Sequence, residues 1–182
     1  MILGENIILS AVEEKHLLKL MEWRNNPEFR KYYREYRVIG YEHQKNWWKS
    51  KILNDDTWQY FVVKHKDSPE NIIGWVGLTY INWVYRTGEF SITLGDEYYR
   101  GKGLGKDMLR TILRYGFEDL NLNRIWCEVY DNNKALDLYK KIGFEQEGVL
   151  RETVFKNNKY LNSHVLSMLK KDYEKIKLQW KK

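Results

Sequence analysis

Cysteine occurs once in this 182-residue chain and proline only twice. A lone thiol forms no internal disulfide, which excludes the cross-linked scaffolds of small secreted proteins. Cys127 stands in the apolar run RIWCEVY with no His or second Cys beside it, and reads as a buried, inert thiol. With few prolines, no internal repeat and no low-complexity segment there is no linker, so one domain over residues 1–182 is expected. Long apolar runs are also missing, and none approaches the roughly 20 residues of a membrane span. The opening residues MILGENIILS lack the charged-then-apolar layout of a secretion signal. The expected setting is cytoplasmic, with no membrane partner. The four histidines, at 16, 43, 65 and 164, are too scattered to pair as ligands, and no metal site is predicted.

What the chain does have is charge and aromatic surface. Its formal net charge is +6, which alone admits nucleic acid, a membrane surface or a small anion as partner. The basic C-terminal stretch KKDYEKIKLQWKK is amphipathic and reads as a partly docked helix, while the other cations are interleaved with acids. Nucleic acid is therefore a poor expectation. Tryptophan (8) and tyrosine (14) are abundant, and their concentration in residues 23 to 60 fits a stacking surface for a ligand as well as a core.

Alternating or β-branched runs predict strands at 6–12, 57–65, 71–82, 88–95, 124–130, 148–158 and 159–169. Helical spacing appears over 13–25, 41–53 and from Asp107 onward, where Met108, Leu109, Ile112, Leu113 and Phe117 share a face. KDSPEN at 66–71 predicts a hairpin turn. The order is strand, two helices, three strands, helix, strand, helix, two strands: an α/β fold with a mixed, mostly antiparallel sheet of about seven strands flanked by helices.

The most specific feature is YYRGKGLGKDML at 98–109, three alternating glycines between basic residues just before a helix. Such a turn presents unpaired N–H groups at the positive end of a helix dipole, a place that binds phosphate. It is not a P-loop, because Arg100 stands where the first Gly is needed and Asp107 where the metal-binding hydroxyl is needed. It is not a dinucleotide fingerprint either, since Lys106 stands where the third Gly belongs.

Arg100-Gly101-Lys102-Gly103-Leu104-Gly105 instead resembles the Arg/Gln-x-x-Gly-x-Gly/Ala signature of the GNAT superfamily of acyl-CoA-dependent N-acyltransferases. Downstream, Asn132-x-x-Ala135 and Leu138-Tyr139-Lys140-Lys141-Ile142-Gly143-Phe144 follow at the family's spacing, and WRNNPE at 23–28 is similar to several subfamilies. The resemblance implies the GNAT fold and acetyl-CoA as cosubstrate, with direct attack by a primary amine in a ternary complex. It assigns the coenzyme pyrophosphate to Arg100, Gly101, Lys102, Gly103, Leu104, Gly105 and Lys106. The pantetheine arm would run along Ile92, Thr93 and Leu94, paired like an added strand, with an N–H near Ile92 as oxyanion donor and a hydrogen bond from Asn132. Asn132 also suits a bare helix N-cap.

Two further residues match catalytic positions of the family. Glu89 matches the general base, acting through a water, although a strand-start acid in solvent is an equal reading. Tyr139 matches the acid that protonates the leaving thiolate, and its apolar neighbours at helical spacing also suit a core aromatic. Glu128 is a second carboxylate nearby, expected to be structural.

The acceptor cleft is expected between residues 23–48 and the turn FKNNKY. Arg24, Arg30, Lys31, Arg34 and Arg37 make that region cationic, which disfavours polyamines and aminoglycosides. The chain is similar to amino-sugar-nucleotide acetyltransferases, the first choice of acceptor, and to ribosomal-protein N-terminal acetyltransferases; a non-catalytic acyl-CoA-binding relative is a further alternative. Asn162 and Ser163 replace an acid that many members carry in the last hairpin. Trp47 and Trp48 either mark a homodimer surface or cover their helix.

Overall fold

The computed structural model describes residues 1–180, so that Lys181 and Lys182 of the basic C-terminal stretch lie outside it. A short strand β1 (Ile2–Leu3) and β2 (Ile7–Ala11) precede helices α1 (Leu17–Asn25), α2 (Pro27–Arg30) and α3 (Tyr41–Trp47). Three strands follow, β3 (Gln59–His65), β4 (Ser68–Asn82) and β5 (Thr87–Leu94), then α4 (Leu104–Arg114), β6 (Arg124–Tyr130) and α5 (Ala135–Ile142). A last hairpin, β7 (Glu145–Lys156) and β8 (Lys159–Leu169), leads into α6 (Lys170–Trp180). The order matches the expectation except that three helices rather than two precede β3, because the short α2 follows α1. The sheet has eight strands rather than about seven, because β1 pairs with β2 through Ile2 opposite Leu9 and Leu3 opposite Ile8. Two residues are too short for an alternation signal.

The strands lie in the order β1-β2-β3-β4-β5-β6-β8-β7, all antiparallel except β5 beside β6. That parallel pair needs a crossover, and α4 supplies it. Met108, Leu109, Ile112 and Leu113, spaced for one helix face, are wholly buried against β-strand residues such as Ile73, Val76 and Leu78. Each such side chain contributes roughly 1.5–3 kcal/mol by leaving water. On the other side of the sheet Leu17, Leu20, Trp23 and Phe29 pack on Val62 and Trp75. The α1–α2 layer is thus fixed over β3 and β4.

The β5–β6 ladder covers only Thr87–Glu89 against Arg124–Trp126. Beyond Glu89, β5 continues with β4 as far as Leu94, and β6 continues with β8 as far as Tyr130. The sheet therefore opens between two strands that are each still paired on their outer sides. A bulge in β4 between Thr79 and Asn82 lies beside this opening, with Tyr80 held at φ +50°. Bulges with a left-handed non-glycine residue are strained and cluster where a sheet re-aims side chains.

Candidate active site

Gly101 and Gly103 take φ values of +74° and +80°, and Gly103 is the residue that opens α4. A Cβ at either would meet no atom within 4 Å, so glycine is required there by backbone conformation, not by crowding within the chain. Gly105 is helical, and a Cβ there would make only an ordinary contact with Leu138 Cδ2 at 3.9 Å. The helix ladder begins with Lys106 and Asp107 donating to the Gly103 carbonyl, and the N–H groups of residues 101–105 have no partner among the described residues. Five free donors at the start of an eleven-residue helix form an anion cradle. Of the basic side chains, Arg100 pairs with Glu97 at 3.2 Å and Lys102 lies 3.3 Å over the Tyr98 ring, while Lys106 is exposed. Asp107, the residue that breaks the P-loop pattern, serves the fold instead, since its carboxylate accepts the N–H groups of Glu5 and Asn6 at 2.9 and 2.6 Å.

Along β5 the side chains alternate between two environments. Phe90, Ile92 and Leu94 join the α4 core. Glu89, Ser91 and Thr93 face the other layer, where Tyr60 bonds Ser91 at 2.9 Å and Tyr33 bonds Thr93 at 2.9 Å. A cavity of about 330 Å³ is lined from both faces, by Glu89 and Ser91 and also by Phe90, Ile92, Cys127 and Tyr139. Contact with both faces is possible because the sheet is open there.

Glu89 is buried, not solvated, and is held by Arg34, whose two terminal nitrogens reach its oxygens at 2.9 and 2.7 Å. The same guanidinium reaches Glu128 at 2.9 Å. Burial opposes the charged form of Arg34, but bonding to Glu89 and the two nearby carboxylates outweigh it and raise its pKa. Arg34 is on the irregular segment after α2, which Lys156 of β7 ties down by donating to the carbonyls of Arg30 (2.8 Å) and Tyr33. The Arg34 bridge gives Glu128 a place in the site that its sequence context did not reveal.

Tyr139 is buried on α5, with Phe90 edge-on at 5.0 Å. Burial, with a smaller contribution from Cys127, pushes its phenol pKa well up, so the group keeps its proton. Cys127 is buried and its pKa is likewise raised, which agrees with an inert thiol. Asn132 is exposed in the turn before α5. The capping expected of it is done by Asn133, whose side chain accepts the Ala135 N–H at 3.0 Å and which lines the cavity.

The outer part of the cavity is aromatic, with Trp47, Trp58, Tyr60, Trp75 and Tyr80 in its wall. Trp47 meets Tyr60 edge-on at 5.5 Å and Trp48 donates to the Val12 carbonyl at 3.1 Å, so both tryptophans are engaged within the chain. Of the five expected cations only Arg24 and Arg34 line the cavity; Lys31 pairs with Glu28, and Arg37 with Glu35. The β7–β8 turn does not line it and acts through Lys156. Asn162 binds the Glu152 N–H, away from the cavity. Gln44 is fully buried in the wall, and no sequence signal marks it. Among the described residues no group of three His, Cys, Asp or Glu could hold a metal ion, and no helix is long and apolar enough to cross a membrane.

Known proteins share this arrangement. The sequence profile of the acetyltransferase (GNAT) domain matches residues 6–145. A spermidine N(1)-acetyltransferase of Vibrio cholerae is 31% identical over 172 residues, 94% of this chain and 97% of that protein. The spermidine N(1)-acetyltransferase of Escherichia coli K12 is 30% identical over 93% of this chain and 89% of its own length. The crystal structure of spermidine N-acetyltransferase from Vibrio cholerae in complex with CoA and spermine superposes with a TM-score of 0.87 at 29% identity, covering 94% of this chain and 99% of that one. These names carry a polyamine acceptor, the class that the cationic residues 24–37 had set aside, and none carries an amino-sugar nucleotide. The charge count took all five cations as free. In the folded chain most are spent on neighbouring carboxylates.

Proposed function

Because the chain belongs to the GNAT acetyltransferase family and is an acetyl-CoA-dependent N-acetyltransferase, we propose that it acetylates the primary amine of a small acceptor seated in the aromatic cavity. One observation carries this reading: β5 and β6 part beyond Glu89, where Glu89, Glu128 and Tyr139 line the cavity, and the chain that leaves β5 at Leu94 runs on into the free N–H groups of residues 101–105. The cradle of residues 100–106 binds the coenzyme pyrophosphate. The inner edge of β5 over Ile92–Leu94, unpaired toward β6, accepts the pantetheine arm as a strand would, and Asn132, in the turn after β6, would add a hydrogen bond to it. Acetyl-CoA supplies the acyl group and a thiol leaving group, so the new C–N bond replaces the C–S bond.

Glu89 takes the proton that the attacking nitrogen releases, through a water. Arg34 holds it in place, and a carboxylate held by one guanidinium still has lone pairs to accept that proton. Tyr139 donates a hydrogen bond to the departing sulfur, which leaves with the C–S electron pair. The raised phenol pKa means the proton is shared with the sulfur, not surrendered as a free tyrosinate. Phe90, Ile92 and Val129 keep bulk water from the reacting carbonyl.

A polyamine is the acceptor that the full-length relatives put first for trial. Its ammonium groups would have to take over carboxylates that Arg34 and Arg37 now hold. The test is thiol release from acetyl-CoA with spermidine, an amino-sugar nucleotide and a peptide with a free N-terminus. Amine-dependent release supports the reading. Tight coenzyme A binding with no release for any amine overturns it.

A further inference from the structure

The cavity contains one charge without an opposite partner. Its three carboxylates are all matched: Glu89 and Glu128 by Arg34, and Glu35 by Arg37, which approaches it through Nε at 2.9 Å and a terminal nitrogen at 2.8 Å. Arg24 has no carboxylate within ion-pair distance among the described residues. Its single protein partner is Gln44, which accepts one terminal nitrogen through Oε1 at 2.9 Å, and its guanidinium lies 5.3 Å over the Trp47 ring. Burial is costly for a guanidinium and lowers its pKa, an effect that Tyr60, Glu35 and Tyr33 offset only in part from a distance.

Two orphan donors share the same wall. Gln44 Nε2 and Trp75 Nε1 are buried with no hydrogen-bond partner, two of only three such side-chain atoms among the described residues. The Gln44 orientation is fixed by chemistry, since flipping the amide would turn its donor toward the guanidinium. Neither atom presents surface to the cavity, so the group there that lacks a partner is the Arg24 guanidinium, and its missing partner is an acceptor carrying negative charge. Trp47, Trp58 and Tyr60 supply flat apolar walls beside it.

We propose that Arg24, positioned by Gln44 and the Trp47 ring, forms a subsite for an oxyanion on the acceptor, so that the substrate is a primary amine with a carboxylate or phosphate at its far end. This rests on the acetyl-transfer reading and adds the substrate class to it. The amine lies by Glu89 and the oxyanion by Arg24. Ser91, one strand repeat from Glu89 or about 7 Å, is linked through Tyr60 to Trp47 beneath Arg24, which joins the two ends of the cavity.

The experiment compares matched acceptors that differ only at the far end: ω-amino carboxylates against diamines of equal length, dipeptides against their C-terminal amides, aminoalkyl phosphates against aminoalkyl alcohols, and spermidine as the polycation. Thiol release is read for each. A charge-assisted bond in a shielded site predicts at least about a tenfold higher kcat/KM for the anionic member of a pair. A preference confined to carboxylates or to phosphates identifies the anion. Arg24→Gln is expected to erase the preference by raising KM with little change in kcat, and Arg24→Lys to retain part of it. Unchanged coenzyme A affinity shows that each variant is folded. Equal or better turnover of diamines and spermidine by the wild type overturns the subsite while leaving acetyl transfer intact, and this result needs no variant. Tight coenzyme A binding with no thiol release for any amine overturns the acetyl-transfer reading and the subsite with it.

Discussion

The two ends of the site are built in opposite ways. The proposed coenzyme end is one contiguous loop that offers backbone donors, with Gly101 and Gly103 at positive φ and the N–H groups of residues 101–105 left free. The proposed acceptor end is assembled from α1, α3, the segment after α2, and strands β3 to β6, and offers side chains. Backbone recognition tolerates change in the surrounding side chains and leaves a compact motif. Side-chain recognition depends on contacts between residues far apart in sequence, such as Arg34 with Glu89 and Glu128.

The largest effect that would break or sharpen this contrast is expected where the ends meet. Glu89→Gln removes the proton acceptor, and turnover should fall by about 10²-fold or more. The acidic limb of the pH–rate profile should vanish with it. Steady-state rates across pH check this, and an unchanged profile moves the role to another group.

That contrast also governs how much was legible in advance. Strand and helix order could be read from periodicity because each element has one buried face, as Met108, Leu109 and Ile112 show. The glycine loop was legible because it is local. Arg34 was visible only as one cation among five, since nothing in sequence shows that residues 34, 89 and 128 converge. Burial of Glu89 was equally hidden: it follows from the β5–β6 ladder ending at that residue. Asn132 and Asn133 are adjacent, and only the turn geometry shows which caps α5.

Next in size is Tyr139→Phe, expected to lower kcat by roughly 10-fold to 100-fold while coenzyme A affinity holds. Isothermal titration beside steady-state kinetics separates the two, and a loss confined to binding contradicts the assigned role. At the coenzyme end Gly103→Ala should lower stability by about 1–2 kcal/mol and weaken coenzyme binding several-fold. Because space for a Cβ exists there, the loss comes from the φ of +80°. Chemical denaturation with a binding titration reads both.

The smallest effect concerns acid. Hydrogen bonds from Arg37 hold the Glu35 carboxyl down to about 2 from 4.5. Since the folded pKa is the lower one, its stabilisation is present above 4.5 and is lost as pH falls toward 2. Thermal melts of the wild type and Arg37→Ala should differ near neutrality and converge across that window. Arg37 is about half exposed, so solvent screens the pair and the difference should be modest.

The most direct measurement of the central claim, that the opening between β5 and β6 and the loop before α4 together hold coenzyme A, is a titration followed by backbone amide resonances. The amides of residues 101–105 and of Phe90–Leu94 should shift most on adding coenzyme A. If those two segments stay silent while shifts collect elsewhere, the assignment of both regions is wrong.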